Sequence, residues 1–258
     1  MTNDDGFEAE GLQCLYELLS TKATCFVVAP DRGRSCCGHA VTTGSPIDLE
    51  QRGENNWAIS GTPADCVRIG LSWLKLEPDI VISGVNHGGN LGADIFYSGT
   101  VAAAREACLM GVRSIAVSQY MRRDVERDWN INASRADYVI EHVCKLDWPA
   151  GGFWSANLPA LPPSDSVHAL PIAQCEPERQ SLRFEFAHDR ESNVDLVQND
   201  PTHRVIYQSN YQMRPRAVGS DVALCFAGQA TLTWLSVNNP SVLSEPSFSC
   251  VKSAMDKP

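Results

Sequence analysis

Near its amino end the 258-residue chain carries Asn3-Asp4-Asp5-Gly6, an amide and two adjacent carboxylates followed by glycine. A hard divalent cation takes oxygen ligands. One or two carboxylates completed by water and a substrate phosphate are the common arrangement for Mg2+, and Mn2+ accepts the same donors. By itself an Asp-Asp-Gly stretch is an ordinary solvated turn. Three further stretches offer what a cation and an oxyanion would need. Ser35 follows Asp31, Arg32 and Arg34 in a polar stretch, and its hydroxyl suits either a metal or a phosphate oxygen. The run Ser83-Gly84-Val85-Asn86-His87-Gly88-Gly89-Asn90-Leu91-Gly92 is rich in glycine, which lets backbone N–H groups approach an anion. Within it, Asn86 offers a neutral oxygen to a metal and Asn90 an amide donor to a phosphate. Ser98-Gly99-Thr100 opens an alanine-rich helical pattern, so hydroxyls, unpaired amides and the positive dipole end coincide there.

Each of these stretches also has a plain structural use, as a loop serine, a glycine turn or a helix cap. Together they point to metal-assisted phosphoryl hydrolysis, with Asp4 and Asp5 as candidate metal ligands and catalytic carboxylates. The glycine run is not followed by Gly-Lys-Ser/Thr and lacks the dinucleotide-binding spacing. Cys36-Cys37 has no neighbour that marks it as a nucleophile, and His87 alone is an ordinary loop histidine.

The elements that must position these residues follow from patterning. Apolar spacing predicts a helix over 7–19, then a buried strand over 25–29 ending at Pro30-Asp31-Arg32. Residues 33–46 are rich in Gly, Ser, Thr and Cys and are expected to form a loop. A strand over 57–60 precedes Thr62-Pro63, an N-cap with proline at the first helical position. The apolar run over 79–84 is the clearest buried strand and delivers the glycine-rich loop 85–92. A helix over 101–110, a strand over 114–118, a helix over 132–144 and a strand over 153–159 complete the alternation. That order predicts an α/β fold with a Rossmann-like, mostly parallel sheet and helices on both faces. Its ligand loops would lie at the carboxyl edge. Past Pro159 prolines crowd together, and alternating runs at 182–186, 194–197 and 204–207 predict antiparallel hairpins. A short helix or turn over 219–228, a strand over 231–235 and a loosely held polar tail from Pro240 follow. The division expected is a catalytic core over 1–160 and a β-rich extension over 161–258 that partly returns to the core and serves oligomerisation.

Composition narrows the class. A formal charge of −10 and a pI near 5.0 argue against binding nucleic acid through a basic surface. The ten cysteines contain no CxxC pair, so neither a zinc ribbon nor a thioredoxin motif is indicated. Their scatter through apolar runs suits a reducing cytoplasm. No run approaches the roughly 18 apolar residues that span a membrane.

The chain resembles the SurE family of survival-protein acid phosphatases, also described as 5′- and 3′-nucleotidases. The matching segments are Thr2-Asn3-Asp4-Asp5-Gly6, Val28-Ala29-Pro30-Asp31-Arg32 with Arg34-Ser35, Gly61-Thr62-Pro63-Ala64-Asp65-Cys66-Val67 and Pro78-Asp79-Ile80-Val81-Ile82-Ser83-Gly84-Val85-Asn86. Gly89-Asn90-Leu91-Gly92, Tyr97-Ser98-Gly99-Thr100-Val101-Ala102-Ala103-Ala104 and Asn157-Leu158-Pro159 continue the match. The resemblance implies one divalent metal, Mg2+ or Mn2+, held by Asp4, Asp5, Ser35 and Asn86. It implies phosphate contacts from Asn90, Ser98, Gly99 and Thr100, nucleoside monophosphates as substrates, and a homodimer or homotetramer. The alternative is a nucleotide- or phosphate-binding protein of the same fold with little turnover. Cys36 departs from the family's small residue after the serine. Met1 stands where the family's first apolar strand ends, so residues upstream are expected to be missing, with poorer folding and metal binding as the expected result.

Overall fold

The computed structural model describes residues 1–188, 204–208 and 210–237. The expected helices and strands appear in order as far as Leu158, with a strand over Leu49–Gly53 and a short helix over Asp94–Tyr97 in addition. In order come α1 (Glu10–Ser20), β1 (Val27–Pro30), β2 (Leu49–Gly53), β3 (Asn56–Ile59), α2 (Pro63–Arg68), β4 (Val81–His87), α3 (Asp94–Tyr97), α4 (Gly99–Leu109), β5 (Ser114–Gln119), α5 (Trp129–Val143) and β6 (Gly152–Leu158). Then follow β7 (Ile172–Gln174), β8 (Phe186–His188), β9 (Val205–Tyr207), α6 (Asp221–Phe226) and β10 (Ala230–Ser236).

A five-stranded sheet has the order β4-β5-β6-β10-β7, and a three-stranded sheet has the order β1-β3-β2. β4, β5 and β6 pair in parallel, while β10 joins antiparallel to β6 and parallel to β7. The first two residues link the sheets. Thr2 N donates to Ile82 O at 3.0 Å, Gly84 N to Thr2 O at 2.8 Å, and Val28 N to Met1 O at 3.0 Å. The Met1 ammonium is buried, which lowers its pKa to about 6, and it donates to Phe26 O. Met1 lines a cleft of about 390 Å3 together with Cys25, Phe26, Ile80 and Val81 among others.

The helices cover both faces. On one, α1 and α5 pack on the sheet through Leu15, Val85, Val139 and Val143. On the other, Val67 of α2 and Ala103 and Ala107 of α4 meet Val81. Alanine is what lets α4 lie close: Ala102, Ala103, Ala104 and Ala107 are all fully buried. Burial of α1 rests on Leu12 and Leu15, each worth roughly 1.5–3 kcal/mol. No helix among the described residues is long and apolar enough to cross a membrane.

Several expected boundaries change. The loop expected from Val85 begins only after His87, because Asn86 and His87 pair with Ser118 and Gln119 beyond an irregularity that follows Ser83. β2 is an edge strand whose residues are mostly exposed, so it carries no apolar signature. Residues 182–185 are not in a strand, and β8 starts at Phe186. β8 and β9 pair antiparallel, as expected of these runs. The expected strand at 194–197 and the tail from Pro240 lie outside the described residues.

Candidate functional site

The first turn is built by Asn3. Its amide Nδ2 donates to Gly6 O at 2.9 Å, and Gly6 N donates back to Asn3 Oδ1 at 3.2 Å. Gly6 has φ +108°, and a Cβ there would lie 3.0 Å from the Arg32 carbonyl carbon, so only glycine fits. Phe7 N donates to Pro30 O at 2.7 Å and Arg34 N to Asp4 O at 2.6 Å. These bonds fasten the acidic pair to the stretch that carries Ser35.

Asp4 is almost fully buried at the start of α4. Its Oδ1 accepts the Thr100 hydroxyl at 2.8 Å, and its Oδ2 accepts the amides of Gly99 at 3.1 Å and Thr100 at 3.2 Å. The approach is close enough that a Cβ on Gly99 would lie 2.9 Å from the Asp4 Cβ. Burial raises the Asp4 pKa, the bond from Thr100 opposes this, and the neighbouring Asp5 charge adds to the rise; the net direction is upward. Asp5 accepts a single hydrogen bond, from His87 N to Oδ2 at 2.9 Å, and burial raises its pKa too. Asn86 donates Nδ2 to Gly88 O at 2.7 Å, which leaves Oδ1 on the side of Thr100 Oγ1, 3.4 Å away. Asn90 is clamped: its Nδ2 donates to Ser118 Oγ at 2.7 Å and its N to Asn157 Oδ1 at 2.7 Å, while Asn157 Nδ2 donates to Asn90 O at 3.2 Å. Ser98 Oγ accepts Val101 N at 3.0 Å and caps α4.

Asp4, Asp5, Ser35, Asn86, Asn90 and Ser98 all line one cavity of about 640 Å3. Gly99 and Thr100 are not in its lining; they stand behind Asp4, with their amides and the Thr100 hydroxyl committed to that carboxylate. Arg32 and Arg34 do not line it either: the Arg34 guanidinium turns to Asp31 and to Ser60 O. His87 is structural. It stacks on Trp129 at 4.3 Å between centroids, its Nε2 accepts Gly11 N at 3.3 Å, and burial lowers its pKa.

The donor set suits a hard cation. A buried carboxylate, Asp4, and its half-buried neighbour Asp5 share the lining with neutral oxygen donors, and among the described residues neither forms an ion pair with Lys, Arg or His. Like charges this close, with raised pKa values, call for a countercharge. The described residues hold no group of three or more His, Cys, Asp and Glu side chains placed to bind a metal, so the thiolate- and imidazole-rich sets of zinc sites are absent from them.

The stretch that carries Ser35 is held by partners that sequence reasoning missed. Thr42 donates its amide and hydroxyl to Asp65, at 3.0 and 2.7 Å, and Asp65 also closes a capping box with Thr62 at the start of α2. Buried Glu106 of α4 pairs with His39 at 2.7 Å and Arg68 at 2.6 Å. The roof of the cavity was missed as well. Tyr97, Phe184 and Phe186 line the cavity together with the acids, and Asp94 of the same lining pairs with the buried Arg214 and accepts Tyr211 Oη at 2.9 Å. The alternating run at 182–186 suggested only a strand, and nothing local ties it to residues 4–98.

Fold and cavity together define an α/β protein with an oxygen-donor site at the carboxyl ends of its strands. The family model "Survival protein SurE" matches residues 1–181. A putative 5′-nucleotidase of Synechocystis sp. is 39% identical over 237 residues, covering 92% of this chain and 98% of its own. The 5′-nucleotidase SurE of Rhodospirillum rubrum is 36% identical, covering 92% and 89%. The crystal structure of the SurE protein from Aquifex aeolicus superposes with a TM-score of 0.76 at 27% identity, over 94% of this chain and 95% of that one. The chain belongs to the SurE family.

Proposed function

We propose that the chain is a 5′-nucleotidase, a hydrolase of phosphoric monoesters that acts on nucleoside monophosphates with a divalent cation, Mg2+ or Mn2+. Asp4, Asp5, Ser35 and Asn86 would hold the cation, and Asn90 and Ser98 would receive the phosphoryl group, with Gly99 and Thr100 fixing Asp4 from behind. Family membership and relatives named as 5′-nucleotidases support the reaction class. The observation that carries the cation is the pair of buried Asp4 and half-buried Asp5, without a basic ion-pair partner among the described residues, in one cavity lining with Asn86 and Ser35. Such a cation polarises a phosphoryl oxygen and lowers the pKa of water.

The two carboxylates differ in their commitments. Asp4 accepts three hydrogen bonds and is anchored as a ligand. Asp5 accepts one and is the better placed to take a proton from the attacking water. Asn90, locked by Ser118 and Asn157, presents its amide in one fixed orientation. A chain that binds nucleotide without turnover is favoured by one observation: the Gly99 and Thr100 amides are committed to Asp4 rather than open to an anion. Cytoplasmic action and self-association through the exposed β8–β9 hairpin, with Val205, Ile206 and Tyr207 outward, complete the proposal.

The test is phosphate release from p-nitrophenyl phosphate and adenosine 5′-monophosphate with Mg2+ or Mn2+, with and without chelator. Release that requires the metal is expected. No metal-dependent release from acid to neutral pH overturns the hydrolase and leaves the binding protein.

A further inference from the structure

We propose that Tyr97, Phe184 and Phe186 form an aromatic roof that receives the nucleobase of the substrate by its face. The inference rests on the nucleotidase reading and adds the element that separates a nucleotide from a simple phosphate ester.

The cavity has two chemically different ends. Its floor is polar, with Asp4, Asn86, Asn90 and Ser98 all buried. Its roof is aromatic and wet, with Tyr97 51%, Phe184 55% and Phe186 62% exposed. Three large apolar rings left to water around one cavity are unfavourable unless something covers them. They come from separate places, the end of α3 and the segment entering β8, so chance clustering along the chain does not account for them. The two phenylalanines are also braced. Tyr207 of β9 holds both, at 6.2 Å from Phe184 and edge-on at 5.7 Å from Phe186. Edge-on aromatic contacts fix ring orientation, so these faces are set before a ligand arrives.

At about 640 Å3 the cavity falls in the roughly 300–1,000 Å3 range of small-molecule sites. A phosphoryl group and its cation occupy only the floor. The rest of the lining is the three rings, Cys36, His87, Gly89 and Asp94, whose carboxylate is already committed to Arg214 and Tyr211. Such a roof recognises a flat conjugated group by stacking rather than by its hydrogen-bonding edge, because every base has a π-face. It therefore favours aromatic leaving groups over aliphatic ones, and the larger purines over pyrimidines. Among the described residues the cavity lining contains no Lys or Arg to compensate the extra charge of a di- or triphosphate.

The test compares kcat/KM for adenosine 5′-monophosphate with that for ribose 5-phosphate, which shares the reacting group and sugar but lacks the base. In Phe184→Leu and Phe186→Leu the ratio of the two is expected to fall by about tenfold, and Phe184→Trp should keep or raise it. A ratio unchanged in both leucine variants, with both substrates hydrolysed, overturns the roof and leaves the nucleotidase standing. An unchanged ratio together with a shift in sedimentation assigns the rings to contact with a second copy. If the parent chain hydrolyses neither substrate, the nucleotidase reading fails on its own. Calorimetric binding of adenosine 5′-monophosphate then decides the roof: binding weakened by about tenfold in the leucine variants supports it, and unchanged or absent binding overturns it.

Discussion

The floor and the roof of the cavity are built on opposite terms. On the floor Asp4, Asn86, Asn90 and Ser98 are buried, and distant segments fix the site: Asp4 is held by α4, Asn90 by β5 and β6, and the stretch that carries Ser35 by Asp65 and Glu106. A buried polar group costs free energy unless it is paired, so this geometry is over-determined. The roof exposes its rings, and its ties include Tyr207 against both phenylalanines, Arg214 to Asp94, and Asp221 to the amides of Gly92 and Glu178. The contrast teaches where substitution should act. Changes to the floor alter chemistry and cation binding, whereas changes to the roof and its ties alter stability and choice of substrate.

The largest effect is expected on the floor. Asp4→Asn keeps the shape but removes half of the negative pair, and should lower metal-dependent kcat/KM for p-nitrophenyl phosphate by about 1,000-fold. Full activity in this variant would break the distinction at once. Next comes the tie of the roof. The Arg214 side chain is 5% exposed and its partner Asp94 22%. Arg214→Met should cost about 2–4 kcal/mol, read as a lower thermal midpoint, with hydrolysis of p-nitrophenyl phosphate affected less than that of nucleotides.

Behind the floor, Thr100→Val removes the hydroxyl bond to Asp4 Oδ1. It should weaken Mn2+ binding by about 10–100-fold, as partners of metal ligands generally do. The smallest effect concerns the stretch that carries Ser35. Burial alone would raise the Glu106 pKa, but the bonds from Arg68 and His39 outweigh it and hold the carboxyl below the usual glutamate range. Because the folded value lies below the unfolded one, that stability is present above the ordinary glutamate pKa and is lost as pH falls through the lowered value. Glu106→Gln should therefore cost about 1–2 kcal/mol at pH 7 in urea unfolding. Its deficit should shrink as the pH is lowered past the Glu106 pKa. A deficit that grows in acid would contradict the pairing.

The floor was the more legible half. Asp4, Asp5, Ser35, Asn86, Asn90 and Ser98 stand at or just beyond strand ends or at a helix start, and strand and helix periodicity locates those ends without long-range information. The α/β class and the parallel pairing of β4, β5 and β6 followed from the same alternation. Thr100 and Gly99 were read as phosphate donors, since a helix start leaves its amides unpaired. Only the close approach of the first turn shows that they reach Asp4. Asn86 and His87 were placed in a loop because glycines flank them, yet pairing with β5 keeps them in the strand. The roof was illegible for a different reason. Phe184 and Phe186 lie about 180 residues from Asp4 in sequence, and an alternating aromatic run reads the same whether it faces a cavity or a partner.

The most direct test is a calorimetric titration of Mn2+ into the metal-free chain, alongside Asp4→Asn and Asp5→Asn. One site per chain is expected, weakened at least about 100-fold in each variant, since a lost carboxylate removes a ligand rather than a ligand's partner. No Mn2+ binding by the parent chain, or binding equal in all three, would contradict the assignment of the acidic pair as the cation site.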